Sequence, residues 1–280
     1  MKTVAIAGVG LIGGSFGLAL KKAGFDGRII GVSSPRAIAD ALRLGAIDEG
    51  LPLASAVRQA DLIYLAQPIG RILDTLRHLD GEVHPGALIT DAGSTKSAVV
   101  VAAHKAIHRC QFLGGHPMAG KEKRGVGEAD ADLFRGRTYV LTPSSEAELQ
   151  TPAAMEFVEW LRRIGAVPLV LGPDEHDRVV SFTSHLPQLA STALASVVAE
   201  NLESPEELRV SGTGLVDTTR LAMSAYEIWR DILATNSDAI EQALGAYIAK
   251  LEHLRENLRS RQMQTEFEAA ATLAARVRRE

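Results

Sequence analysis

Short apolar runs alternate with helical patterns over the first part of the chain, from Met1 to about Gly172. Runs rich in Val, Ile and Leu are typical of buried strands, and a helical pattern between successive runs is typical of a parallel sheet. The predicted strands are Thr3 to Ala7, Arg28 to Val32, Leu62 to Ala66, Ala87 to Asp91, Gln111 to Gly114, Tyr139 to Thr142 and Pro168 to Leu171. The predicted helices are Gly13 to Ala23, Pro35 to Leu44, Ile69 to Leu79, Lys96 to His108 and Ala153 to Ile164.

The strand pattern stops after Gly172, and the rest of the chain predicts helices only. We therefore expect an α/β domain over residues 1–172 and an all-α domain over residues 173–280. From Asn236 to Ser260, apolar residues recur at alternating spacings of four and three, which predicts an amphipathic helix. A second apolar stripe follows, so a helical hairpin is expected. The two stripes are Ile240, Leu244, Tyr247, Leu251, Leu254 and Leu258, and then Met263, Phe267, Ala270, Leu273 and Val277.

Two kinds of partner surface can cover this hairpin. The helices can pack within one chain, or they can form the interface of a homodimer. The second half of the chain is small for a domain that buries its own hydrophobic core, which favours a homodimer through the C-terminal helices.

The composition excludes several classes of protein. A hydrophobic fraction of 46%, a charged fraction of 23% and a net charge of -4 over 280 residues are typical of a soluble globular protein and give no basis for binding nucleic acid. The single cysteine, Cys110, excludes an intramolecular disulfide framework and favours a reducing cytoplasm. The apolar start of the chain is too rich in glycine for a signal peptide, and we expect neither a membrane anchor nor an appended regulatory segment.

A glycine motif follows the first predicted strand directly. Gly8, Gly10 and Gly13 have the G-x-G-x-x-G spacing, and a helical pattern begins at once. In this context the glycines provide a tight turn, close approach to a pyrophosphate and close helix packing, and Leu11 and Ile12 lie in the same turn. The motif predicts a Rossmann-type dinucleotide site, although a glycine-rich turn that only packs well remains an alternative.

The end of the second predicted strand bears on the choice of cofactor. NAD-selective sites usually carry an acidic residue here, whereas this chain has Ser33, Ser34 and Arg36. These side chains can hydrogen-bond to the additional phosphate of NADP, so NADP is favoured over NAD. Alternatively, Ser34 only caps the next helix and Arg36 is solvated. Gln67 and Pro68 follow the Leu62 to Ala66 run and are expected to contact the cofactor or to form a structural turn.

Two further motifs resemble the prephenate/arogenate dehydrogenase family. One is His116-Pro117-Met118-Ala119-Gly120 followed by Glu122, and the other is Thr219-Arg220-Leu221-Ala222 with Trp229 nine residues after the arginine. The resemblance runs from residue 1 to about residue 260, with the motifs in the same order. It implies a Rossmann-type doubly wound, mostly parallel sheet followed by an all-α helical dimerisation domain. The implied activity is the NAD(P)-dependent oxidative decarboxylation of a cyclohexadienyl acid, prephenate or arogenate, in tyrosine biosynthesis, without a metal.

The resemblance also implies roles for individual residues. His116 corresponds to the family's catalytic histidine, which accepts the proton of the substrate hydroxyl, and Ser94 to the serine that holds this histidine and the hydroxyl in line. Arg220 corresponds to the arginine that binds a substrate carboxylate, with Asp217 placed to orient its guanidinium. Glu122 corresponds to a residue of the same charged network. An ordinary surface ion pair is the alternative for these last three residues.

Two residues of the second half are expected at the substrate. Trp229 lines the site or packs in the core. Gln188 ends a Ser-His-Leu-Pro-x run in which many family members have histidine. A neutral side chain here favours prephenate over arogenate, whose ammonium would suit an acidic partner.

Two other functions remain open: a Rossmann dehydrogenase of the 3-hydroxyacid type, which would need a catalytic lysine near Pro173, and a non-catalytic dinucleotide-binding sensor.

Overall fold

Eight strands form one sheet in the computed structural model, which describes residues 1–121, 123–202 and 204–278. The strand order is β3-β2-β1-β4-β5-β6-β7-β8, and all neighbours are parallel except β6 and β7. The first six strands thus have the order of a dinucleotide-binding fold, with the carboxyl ends of β1, β4, β5 and β6 at one edge. The strands are β1 Thr3–Ala7, β2 Arg28–Val32, β3 Glu49–Gly50, β4 Leu62–Leu65, β5 Leu88–Asp91, β6 Gln111–Pro117, β7 Thr138–Thr142 and β8 Val167–Val170.

Helices cover both faces of the sheet, and helices alone follow β8. Among the described residues the helices are α1 Leu11–Lys22, α2 Pro35–Arg43, α3 Leu53–Val57, α4 Ile69–Leu76, α5 Ser97–Ala106, α6 Glu146–Leu149, α7 Pro152–Arg163, α8 Pro173–Val180, α9 Leu186–Asn201, α10 Pro205–Leu208, α11 Thr213–Thr219, α12 Tyr226–Thr235, α13 Ser237–Glu256 and α14 Gln262–Val277. A π-helical turn, Ser181–His185, joins α8 to α9, and a 3-10 turn, Arg220–Met223, follows α11.

Sequence signals account for where several helices begin. The Ser34 hydroxyl accepts a hydrogen bond from the Ala37 amide at 3.3 Å, with Pro35 in the first turn of α2. The Thr151 hydroxyl caps α7 in the same way. A serine or threonine cap satisfies an amide that has no partner within the helix, and proline loses nothing in the first turn.

The predicted elements of the α/β domain are confirmed, with one strand extended. Six of the predicted strands begin and end within one residue of the prediction, whereas β6 continues past Gly114 to Pro117. It does so because it pairs antiparallel with β7, with His116 opposite Val140. The prediction missed β3, α3 and α6, which are too short to give a periodic pattern.

The helical domain is anchored to the sheet domain at one end. Ile232 of α12 and Ile240 of α13 are buried in the same apolar core as α4 and α5. Further along, α13 and α14 form the predicted hairpin, in which the Lys250 ammonium donates to the Glu266 carboxylate at 2.9 Å. None of the helices in the described residues has the length and apolarity that a membrane span requires.

Candidate active site

The glycine turn between β1 and α1 has the geometry of a phosphate-binding loop. Gly8 has φ +94°, and a Cβ there would lie 2.5 Å from the Ala66 carbonyl oxygen. A Cβ on Gly13 would lie 2.1 Å from the Gly8 oxygen, so this glycine allows the helix to pack closely. At Gly10 a Cβ would meet nothing within 4 Å, and no side chain caps α1. The first amides of α1 therefore face open space, as a bound pyrophosphate requires.

A cleft of about 920 Å³ lies against this turn at the carboxyl edge of the sheet. Arg36 lines it beyond the end of β2, and Ser34 lines it while also capping α2. A second cavity of about 360 Å³ continues from it and is lined by Ser94. The predicted cofactor residues that line the two cavities are Gly8, Gly10, Leu11, Ile12, Ser33, Ser34, Arg36, Gln67 and Pro68.

The segment after β5 is fastened by a buried ion pair. The Lys96 ammonium, fully buried, donates to the Asp91 carboxylate and, at 2.7 Å, to the Gly115 carbonyl. The Asp91 carboxylate also accepts from the amides of Gly93 at 2.8 Å and Gly115 at 3.1 Å. Burial lowers the pKa of Lys96, and the charge of Asp91 opposes that shift. These contacts fix the loop that carries Ser94 against the end of β6.

His116 lies near the end of β6, at the same edge of the sheet as the glycine turn. Its Nδ1 is 2.8 Å from Nε2 of His176, a fully buried residue of α8. The Nδ1 atom of His176 is in turn 2.7 Å from Oδ1 of Asp177. Two imidazoles and a carboxylate are thereby joined in one hydrogen-bonded chain across the junction of the two domains.

The surroundings of His116 favour its neutral form. Burial lowers the pKa of His116 well below its ordinary value, and the neighbouring His176 and Lys96 lower it further. His185, in the π-helical turn, has the same tendency, since burial lowers its pKa to about 4. A neutral imidazole can accept a proton, so His116 has the protonation state that a general base needs.

The predicted substrate residues lie in the helical domain, where Gln188 supports the segment of Arg220. The buried Gln188 amide donates to the Leu221 carbonyl at 2.9 Å. Arg220 begins the 3-10 turn directly after α11, which contains Asp217, and both side chains are exposed. The two cavities above are lined by neither His116 nor Arg220, so the convergence of these two residues on one pocket stays a prediction.

Two predicted substrate residues remain, Trp229 and Glu122. The ring of Trp229 packs edge-on against His185 at 5.9 Å, and its Nε1 donates to the Ser224 hydroxyl. Glu122 lies outside the described residues.

Three residues of the site had no individual role in the sequence prediction. No individual role could be assigned to His176 and Asp177 from the sequence, because the contact of His176 with His116 spans 60 positions of the chain and Asp177 reaches His116 only through His176. Asp231 of α12 also lines the second cavity, and its carboxylate accepts from the Gly70 amide of α4 at 2.9 Å. No local pattern marks such contacts between domains.

A dinucleotide cleft at the carboxyl edge of a Rossmann-type sheet, with a half-buried imidazole that can accept a proton at the same edge, defines a nicotinamide-dependent dehydrogenase. The family model for the prephenate dehydrogenase nucleotide-binding domain matches residues 16–169, and that for the prephenate dehydrogenase dimerization domain matches residues 172–272. The chain belongs to the prephenate dehydrogenase family.

Individual relatives agree with this assignment. The prephenate dehydrogenase of Bacillus subtilis (strain 168) is 39% identical over 90% of this chain and 69% of its own length. The crystal structure of the Aquifex aeolicus prephenate dehydrogenase in complex with hydroxyphenyl propionate and NAD+ has a TM-score of 0.86 at 31% identity, covering 100% of this chain and 97% of that one. The Synechocystis arogenate dehydrogenase structure has a TM-score of 0.80 at 29% identity, covering 99% and 98%.

Proposed function

We propose that the protein catalyses the oxidative decarboxylation of prephenate to 4-hydroxyphenylpyruvate in tyrosine biosynthesis, with NAD+ or NADP+ as electron acceptor. The supporting relatives include enzymes that are named for prephenate and for arogenate. The observation that carries the proposal is the position of His116, which lies at the cofactor edge of the sheet and is joined to a buried carboxylate through His176.

The proposed mechanism assigns one task to each side chain. Arg220 binds a carboxylate of the substrate through its planar fork of donors, and Ser94 and His116 hold the ring hydroxyl. A bound oxidised nicotinamide supplies the acceptor for the hydride that leaves the ring carbon. His116 accepts the hydroxyl proton as this carbon is oxidised. The ring carboxylate leaves as CO2, its bonding electron pair makes the ring aromatic, and the resulting phenolate oxygen takes the proton back from His116.

Prephenate is the proposed substrate because Gln188 is neutral. The arogenate side chain carries an ammonium, which a carboxylate would bind better than an amide does. Gln188 lies beside the Arg220 segment through its bond to the Leu221 carbonyl, which is consistent with a place near the substrate side chain. Arogenate is the alternative substrate.

NADP is the favoured cofactor in this proposal. The residues Gly31 to Arg36 include no carboxylate that would repel a 2'-phosphate, and Arg36 lines the cleft. Its guanidinium can hydrogen-bond to a phosphate, and the Ser33 hydroxyl can add a further donor. NAD remains the alternative, since the complex of the Aquifex aeolicus enzyme contains NAD+.

We also propose that two copies associate through the helical domain and that this domain begins at Pro173. The last strand of the sheet ends at Val170 and α8 begins at Pro173, which supports this boundary. A single cysteine supports a reducing, cytoplasmic location.

One experiment tests substrate, cofactor and base together. Purified protein is mixed with prephenate or arogenate and with NAD+ or NADP+, and the absorbance of the reduced cofactor is followed. We expect the fastest reaction with prephenate and NADP+. The His116→Asn variant should lose about 10²- to 10⁴-fold in kcat, the typical contribution of a general base, while its affinity for the dinucleotide is unchanged. Retained turnover, or loss of dinucleotide binding, would contradict the assignment of His116.

A further inference from the structure

Asp177 is held as a carboxylate at the start of helix α5. The Lys96 amide donates to its Oδ1 at 2.7 Å and the Ser97 amide to its Oδ2 at 2.9 Å. Although burial raises the pKa of Asp177, its hydrogen bonds from His176 and from these two amides hold it below its ordinary value. Backbone amides can only donate, so both carboxylate oxygens must accept. The partial positive charge at a helix N-terminus stabilises the negative charge further.

This carboxylate determines which nitrogen of His176 carries a proton. Nδ1 of His176 is 2.7 Å from Oδ1 of Asp177, and an oxygen that accepts requires a donor opposite it. The proton is therefore on Nδ1, and a neutral His176 presents an unprotonated Nε2 to its other neighbour.

The same argument then applies to His116. Its Nδ1 is 2.8 Å from the unprotonated Nε2 of His176, so this Nδ1 must donate. A neutral His116 with its proton on Nδ1 has a bare Nε2. Among residues 1–121, 123–202 and 204–278, no hydrogen bond involves this Nε2 atom. It is left to accept a proton from outside the chain.

We propose that Asp177 and His176 are positioning residues that fix the tautomer of His116, so that its Nε2 is always the basic nitrogen. This inference rests on the proposed role of His116 as the base. An unrestrained imidazole can carry its proton on either nitrogen, and only one of the two tautomers can accept the substrate proton at Nε2. The three groups act in sequence: the start of α5 fixes Asp177, Asp177 fixes His176, and His176 fixes His116.

The remaining charged groups around His116 are consistent with this order. The Lys96 ammonium faces it from the start of α5 and is paired with Asp91, and His185 faces it from the π-helical turn. The charge of Lys96 disfavours a positive charge on His116 before substrate binds. When His116 accepts the substrate proton, its Nδ1–H bond to His176 and the charge of Asp177 stabilise the imidazolium that forms.

The first test reads the tautomer directly and needs neither turnover nor a variant. The full-length protein, labelled with ¹⁵N in its histidine rings, is examined by long-range ¹H–¹⁵N NMR near neutral pH, with His116→Asn used to assign the ring. We expect a protonated Nδ1 and a bare Nε2 for His116. A proton on Nε2 would overturn the inference, whatever substrate the enzyme uses.

The second test compares two variants of His176. His176→Phe keeps an aromatic ring but removes the acceptor, so we expect kcat to fall by about 10²-fold or more, with KM for the substrate little changed. His176→Gln can still accept from His116 and donate to Asp177, and it should recover at least about tenfold of the loss.

A matched control separates positioning from stability. The Asp80 carboxylate accepts from the amides of His108 at 2.7 Å and Arg109 at 2.8 Å, as Asp177 does at α5, but it lies outside the active site. Asp80→Asn should lower the melting temperature and leave both kcat and the His116 tautomer unchanged. Equal kcat for His176→Phe and His176→Gln would contradict the inference. An inactive wild type with the expected tautomer would instead contradict the proposed function alone.

Discussion

At the scale of single residues, two glycines of the cofactor turn differ in what surrounds them. Gly8 has φ +94° and no space for a Cβ, whereas Gly10 has open space in front of it. The first glycine is therefore required by the fold of the turn. The second leaves room for a ligand to approach the backbone.

Alanine substitutions should separate these two requirements. Gly8→Ala places a side chain in a left-handed conformation and against the Ala66 carbonyl, so we expect a loss of at least about 1–3 kcal/mol in the free energy of unfolding of the cofactor-free protein. Gly10→Ala should unfold like the wild type and bind the dinucleotide more weakly. Thermal unfolding without cofactor and titration with NAD+ and NADP+ measure the two effects. A Gly10→Ala variant that binds like the wild type would place the pyrophosphate elsewhere.

The difference between local motifs and contacts between distant parts of the chain explains which residues of the site could be predicted from the sequence. The glycines and His116 lie in short motifs whose chemistry is local, so the motifs were sufficient to predict them as candidate site residues. His176 depends on a contact with His116 that exists only once α8 packs against the sheet. Sequence periodicity contains no information about such a contact, and the predicted convergence of His116 with Arg220 has the same difficulty.

At the scale of elements, contacts between neighbours adjust the ends of helices and strands. The strand periodicity predicted β6 only as far as Gly114, and pairing with β7 extends it to Pro117. Helix α5 was expected from Lys96 and begins at Ser97, where the Asp177 carboxylate accepts from the first amides. The apolar pattern of the chain thus predicts that an element exists, and tertiary partners determine where it ends.

Helix α4 depends on the helical domain in the same way. The Asp231 carboxylate accepts from the Gly70 amide in the first turn of α4, two residues after Pro68. This hydrogen bond keeps the pKa of Asp231 below its ordinary value. Because Gln67 and Pro68 line the two cavities of the proposed dinucleotide site, the helical domain supports one wall of that site.

Removing this contact should weaken cofactor binding as well as stability. For Asp231→Ala we expect a loss of about 1 kcal/mol in the free energy of unfolding, as for a lost helix cap, and a higher Kd for the dinucleotide. Asp238→Ala, which changes an exposed carboxylate in the first turn of α13, serves as the control and should bind the cofactor normally. Calorimetric titration and thermal unfolding provide both readouts. An unchanged Kd for Asp231→Ala would show that dinucleotide binding does not depend on the hydrogen bond between Asp231 and Gly70.

At the scale of the whole molecule, the apolar side chains of the helical domain are less buried the further they lie from the sheet. Ile240 at the start of α13 is buried, Leu251 is 46% exposed and Leu258, just beyond the helix, is 68% exposed. Helix α14 has no buried residue at all. Large apolar side chains left in water across one domain are typical of an interaction surface. Those of the helical domain with the greatest exposure include Val210, Val216, Met223, Tyr226, Leu258, Phe267, Leu273 and Val277.

This exposure supports the proposed homodimer, since the family model that matches residues 172–272 describes a dimerization domain. We expect the wild type to have the mass of a dimer at micromolar concentration in light scattering after size exclusion. The double variant Phe267→Glu, Leu273→Glu places charges on α14 at side chains that are 70% and 63% exposed in one chain, so folding of the monomer should persist while the mass falls by half. Val101→Glu, at a 52% exposed position of α5, is the matched control and should stay dimeric. If the double variant remains a dimer with an unchanged melting temperature, α14 lies outside the interface and its apolar residues are covered in some other way.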